Sequence, residues 1–156
     1  ADTKADTLTI SVSDDGCGMD KELLKRVTDP FATTRTTRKV GLGIPLFKQA
    51  AEFAGGSFSI ESEIGKGTVT KAVFGLSHID RVPLGKLGST MATLIGGFPD
   101  VDFVLEYAVD NKKYEFSTLK LKEIMDGVPL NEPEVLNYIE DMIDENIENI
   151  NGGQPI

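Results

Sequence analysis

Glycine marks almost every junction between periodic segments in residues 8–76, and this punctuation restricts the fold more than any other feature of the chain. Residues 8–13 (LTISVS) alternate as a strand and run directly into Asp14-Asp15-Gly16-Cys17-Gly18. Residues 44–54 read as a helix entered through Gly41-Leu42-Gly43, with Pro45 in its first turn and Gly55-Gly56 at its end. That order suits proline's fixed φ at a helix start and glycine's freedom past a helix end. SFSIESE (57–63) and TVTKAVFGL (68–76) alternate on either side of IGKG, which predicts a hairpin. A short helix is expected over 20–28, capped by Asp20, with Leu23, Leu24 and Val27 on one face. Residues 29–40 (DPFATTRTTRKV) have no periodicity and read as a loop.

The pattern of folded protein continues beyond residue 76. Residues 83–97 predict a helix, although Gly85 and Gly88 weaken it. DFVLEYAVD and KKYEFST flank Asp110-Asn111 as a second hairpin, and LKLKEIMDG reads as a short helix. A final helix spans 132–150, with Val135, Leu136, Ile139, Met142, Ile143, Ile147 and Ile150 on one stripe. Together these elements predict an α+β fold with helices on one face of a mostly antiparallel sheet. We divide the chain into residues 1–76, which hold the glycine motifs, and a helix–hairpin–helix extension over 77–156, packed on the first part or continuous with it.

Composition removes several classes of function. The 25 acidic and 16 basic residues leave a net charge of −9, which speaks against a nucleic-acid or anionic-membrane binder. There is no run of about 18 apolar residues to span a bilayer. A single cysteine allows no internal disulfide, and a reducing, cytoplasmic setting is expected.

Four features carry chemistry. A carboxylate at a strand end, Asp14, can accept from an exocyclic amine, while Gly16 and Gly18 let the backbone approach a flat ligand. The loop holding Thr33, Thr34, Arg35, Arg38 and Lys39 supplies hydroxyls and cations for phosphate oxygens. Gly41, Leu42 and Gly43 open a helix whose bare amides and dipole favour an anion. Gly65-Lys66-Gly67-Thr68 is a tight turn with a hydroxyl at the mouth of a strand. An amine acceptor, a phosphate lid and an anion-binding helix end describe a nucleotide site.

These motifs, DDGCGM, DPFATTRTTRK, GLGIPLFKQAAEFAGG and ESEIGKGTVTKAVF, resemble the glycine boxes and lid of the GHKL ATPases. That superfamily includes DNA gyrase, the heat-shock chaperone ATPase, the mismatch-repair ATPase and histidine kinases. The resemblance covers about residues 8–75 and is nearest to histidine-kinase catalytic domains. Beyond residue 76 the chain looks like small stand-alone histidine-kinase-like ATP-binding proteins of anaerobic bacteria. The resemblance implies a Bergerat-type two-layer sandwich that binds ATP or ADP. Asp14 would accept the adenine amino group, and Gly16 and Gly18 would bring adenine and ribose against the backbone. Thr33, Thr34, Arg35, Arg38 and Lys39 would close over the triphosphate. Gly41 and Gly43 would present amides to phosphate, and Thr68 would bond near adenine directly or through water.

In that family an upstream helix supplies an asparagine for magnesium, often with a glutamate base. Only 13 residues precede Asp14 here, so the resemblance implies that both groups come from elsewhere. We expect a sandwich truncated at its N-terminus, a fragment of a longer protein, with no metal ligand of its own.

Two functions stay open. One is a nucleotide-dependent regulatory or kinase-like ATPase. The other is a non-catalytic interaction module that binds a protein partner or a second copy through its acidic C-terminal half. Autophosphorylation has less support, because His78 lacks the acidic neighbour and helical pattern of a phosphoacceptor. IGKGT is not a P-loop, since Ile60 and Gly67 stand where glycine and a hydroxyl residue are required. Cys17 is read as a small residue tolerated in a turn rather than a redox sensor.

Overall fold

Threonines and serines alternate with aliphatic residues in TLTISVSD, so one face of this strand is polar and the other seeks cover. The computed structural model, which describes residues 1–29, 41–153 and 156, shows how that cover is arranged. The chain forms two compact units, Ala1–Val82 and Pro83–Ile156.

The first unit contains β1 (Thr7–Asp14), α1 (Lys21–Arg26), α2 (Gly43–Phe53), β2 (Ser57–Glu63) and β3 (Gly67–Gly75). The strands form one antiparallel sheet in the order β1-β3-β2. Its register places Leu8 opposite Phe74, Ile10 opposite Ala72, Val12 opposite Thr70 and Asp14 opposite Thr68. On the other side of β3, Phe58 faces Ala72, Ile60 faces Thr70 and Ser62 faces Thr68. All these side chains share one face by alternation.

Helix α2 covers one end of that face. Phe47 meets Phe58 edge-on at 6.1 Å and Phe74 at 6.0 Å between ring centroids. Ala51, Ala54 and Ala72 are fully buried, and their small size lets the helix approach the strands closely. Leu8 and Phe74 are buried, whereas Val12, two rows further along, is 59% exposed. The covered end of the face is therefore apolar and the open end is polar. Helix α1 begins as expected, with the Asp20 carboxylate accepting from the Leu23 amide at 2.8 Å.

The second unit contains α3 (Leu87–Gly97), β4 (Val104–Val109), β5 (Lys112–Ser117), α4 (Thr118–Ile124) and α5 (Pro133–Asn151). Its two strands form a separate antiparallel hairpin. The antiparallel α+β character matches the reading of the sequence, but the strands divide into two sheets. Ile139 and Ile143 of α5 are fully buried and pack with Met91, Ile95, Phe116 and Leu130. Thr118 is also buried and ties the hairpin to its approach, accepting from the Phe103 amide at 2.8 Å and donating to Asp102. The hydrogen bond from Lys122 to Asp102, 2.6 Å long, holds that carboxyl below its usual range.

Helix α3 begins at Leu87, not at Pro83. Gly85 takes φ +74°, a left-handed conformation that interrupts a helix before it can start. Gly88 lies inside α3 despite its low helix propensity and permits the contact with α5. A Cβ there would lie 2.4 Å from the Glu140 carbonyl oxygen, and the Gly88 amide donates to Asp144 at 2.9 Å. No helix among the described residues is long and apolar enough to cross a membrane.

Two glycines of α3 should respond oppositely to a methyl group. Gly88→Ala forces the helices apart and should cost about 1–3 kcal/mol. A Cβ at Gly97 meets nothing within 4 Å, so Gly97→Ala should be neutral or gain up to about 1 kcal/mol from helix propensity. Denaturant unfolding of the two variants checks both signs.

Candidate functional site

The open end of the sheet face carries a polar row, Asp14, Thr68 and Ser62, one residue from each strand. Cross-strand neighbours on one face sit about 5 Å apart at Cβ, so one small group can touch more than one of them. Asp14 is exposed, and Thr68 and Ser62 are half-buried. One oxygen of Asp14, Oδ1, accepts from the Gly16 amide at 3.0 Å. This local bond turns the chain out of β1 and fixes the carboxylate at the strand end.

The turn that follows lies against the hairpin between β2 and β3. The Gly65 amide donates to the Cys17 carbonyl at 2.9 Å, and the Met19 amide donates to Ser62 Oγ at 2.8 Å. Gly18 and Gly67 make this approach feasible. Gly18 has φ +66°, and a Cβ there would lie 2.0 Å from the Glu63 carbonyl oxygen. Gly67 has φ +103°, and a Cβ would lie 1.9 Å from the Asp14 carbonyl oxygen. At both positions the space of a side chain is filled by backbone.

Ser62 joins these parts. Besides accepting from Met19, it donates to the Gly67 carbonyl at 3.0 Å and shares a hydrogen bond of 2.9 Å with Thr68 Oγ1. Sequence reasoning did not single it out. The available signal was a polar residue closing the series Phe58, Ile60, Ser62 on an otherwise apolar face.

Gly41 and Leu42 lead into α2, which Gly43 opens. Leu42 occupies the cap position and is half exposed, and no side chain caps the helix there. The Leu46 amide returns to the Leu42 carbonyl at 3.0 Å, and Pro45 has no amide hydrogen. Thr33, Thr34, Arg35, Arg38 and Lys39 lie outside the described residues. The structure thus brings Asp14, Gly16, Gly18 and Thr68 together, with Gly41–Gly43 at the entry to the helix that covers the same sheet.

The remaining candidates have local roles. Cys17 is exposed. His78 accepts from the Asp80 amide through Nδ1 at 3.2 Å, which shapes the turn after β3. Among the described residues, no three His, Cys, Asp or Glu side chains gather where they could hold a metal ion.

Comparison with known proteins identifies the family of the first unit. The sequence model of the family described as histidine kinase-, DNA gyrase B-, and HSP90-like ATPase matches residues 1–78, half of the chain. Sporulation kinase C of Bacillus subtilis is 42% identical over 67 residues, covering 43% of this chain and 15% of that protein. Sporulation kinase E of the same organism is 44% identical over 64 residues, 41% of this chain and 8% of that protein. The sensor histidine kinase AruS of Pseudomonas aeruginosa is 35% identical over 69 residues, 41% of this chain and 7% of that protein. The matched stretch is thus a small part of each of these relatives.

The latch between the two turns makes a prediction that separates strain from collision. Gly65 has φ +75° with nothing within 4 Å of a built Cβ, so Gly65→Ala should cost only the backbone strain, about 1–2 kcal/mol. Gly67→Ala adds a collision with backbone and should cost at least about 1–3 kcal/mol more. Equal losses in denaturant unfolding would contradict this account of the latch.

Proposed function

Because the chain belongs to the family of histidine kinase-, DNA gyrase B-, and HSP90-like ATPases, we propose that its first unit binds an adenine nucleotide at the polar end of the sheet. The observation that carries this reading is the pairing of Asp14 with Thr68 at the open end of the face that α2 covers elsewhere. Asp14 spends Oδ1 on the Gly16 amide and turns Oδ2 to the exocyclic amine of the base. Gly16 and Gly18 keep side chains out of the path of adenine and ribose. The uncapped first turn of α2, reached through Gly41, Leu42 and Gly43, favours phosphate through its free amide hydrogens and dipole. Thr33, Thr34, Arg35, Arg38 and Lys39 carry the matching cations and hydroxyls in sequence.

The family generally uses magnesium with ATP. The described residues group no set of donors for it, so the reading rests on contacts to base and phosphate, and no step is derived through the metal. We assign the chain a regulatory role in signalling, in which nucleotide occupancy of the first unit is the variable. The second unit is the part suited to a protein partner or a second copy. Residues 131–150, which cap and form most of its terminal helix, hold seven acidic and no basic residues, and Tyr138 stands 59% exposed there.

Calorimetric titration with ATP and ADP tests the reading. The unaltered chain should bind at one site and gain about 2.7 kcal/mol of stability at a hundredfold excess over Kd. Asp14→Asn keeps an oxygen for the Gly16 amide but can offer a donor to the base amine. It should lose about tenfold or more in ATP affinity, the value of a charge-assisted hydrogen bond, with little change in unliganded stability. Unchanged affinity in this variant would refute the assignment of Asp14.

A further inference from the structure

The hydroxyl of Ser62 is tied into three hydrogen bonds, and counting its protons has a consequence for what the site can recognise. A serine hydroxyl has one proton and two lone pairs. The Met19 amide takes one lone pair at 2.8 Å. The proton has two nearby acceptors, the Gly67 carbonyl at 3.0 Å and Thr68 Oγ1 at 2.9 Å. If it goes to Gly67, Thr68 donates its own proton to the second lone pair of Ser62, and three hydrogen bonds form. If it goes to Thr68, only two form within this group, the Gly67 carbonyl loses this donor, and the Thr68 proton is left to seek an acceptor outside it. The first arrangement wins by one hydrogen bond in a half-buried setting.

In that arrangement Thr68 has no proton left to give and shows only lone pairs to a ligand. It stands directly opposite Asp14, whose carboxylate also only accepts. The pair therefore suits a group with two N–H bonds, such as the 6-amino group of a purine, and repels a 6-oxo group.

We infer that Ser62 is a positioning residue that sets the hydrogen-bond polarity of Thr68 and so makes the site prefer 6-amino over 6-oxo purine nucleotides. The inference rests on the nucleotide reading of this site and adds a residue and a selectivity rule to it. Ser62 itself need not touch the base. Removing its hydroxyl frees the Thr68 proton to point at a 6-oxo group.

The test is the ratio of ATP to inosine triphosphate affinity, measured by calorimetry on the whole chain. Inosine triphosphate replaces the 6-amino group with oxygen and leaves sugar and phosphates unchanged. Ser62→Ala should lower the preference for ATP by about twofold to tenfold, the value of one hydrogen bond. Ser62→Thr, which keeps the hydroxyl, should retain the preference of the unaltered chain. Thr68→Val should also lower the preference, and Ser62→Ala added to it should have no further effect on the ratio.

A purely structural Ser62 would weaken both nucleotides by the same factor, and that result in Ser62→Ala overturns the inference. Should that variant fail to fold, Thr68→Val decides alone, since an unchanged ratio there also overturns it. Absence of ATP binding to the unaltered chain overturns the functional reading and the inference with it. ATP binding without a change of ratio overturns the inference alone.

Discussion

Gly18 and Gly67 let two turns lie with their backbones in contact, and the polar end of the first unit depends on that approach. A methyl group at either position would have to occupy the place of a carbonyl oxygen. With the glycines present, the chain after β1 folds back onto the hairpin, and Ser62 can reach the Met19 amide. The positions of Asp14 and Thr68 are then set by strand register rather than by side-chain rotamers. A site built on strand ends is held more rigidly than one built on loops.

The same sheet face performs two tasks at its two ends. Near Leu8 and Phe74 it is apolar and lies beneath α2, where buried alanines and the Phe47 contacts fix the helix. Near Asp14 it is open and polar. The change takes three rows, from Leu8 through Ile10 and Val12 to Asp14, in a single strand. The candidate site is thus an extension of the core face along the same three strands.

Much of this was legible in the sequence because it follows from period and punctuation. The alternating strands, the Asp20 cap, the turn at Asp110-Asn111 and the apolar stripe of α5 all appear near the expected residues. Asp14, Gly16, Gly18 and Thr68 were nameable because strand–turn and turn–strand junctions are visible locally. What escaped depended on partners distant in sequence. Ser62 acquires its role from Met19, 43 positions away. Gly88 reads as a helix breaker until Asp144 and Glu140 are placed beside it. The division into two sheets was hidden as well, since alternation reveals a strand but not which strand will pair with it.

The boundary at Val82–Pro83 bears on how the chain is made. Each unit is contiguous in sequence, so β1 and β3 are both synthesised before the second unit begins. Translation proceeds at about 5–20 residues per second, and the 74 residues from Pro83 to Ile156 occupy the ribosome for about 4–15 s. The β2–β3 hairpin can form in microseconds, whereas β1 must close the loop of residues 15–66 to reach β3, a slower non-local step. The strands that pair in the first sheet all precede those of the β4–β5 hairpin in the chain.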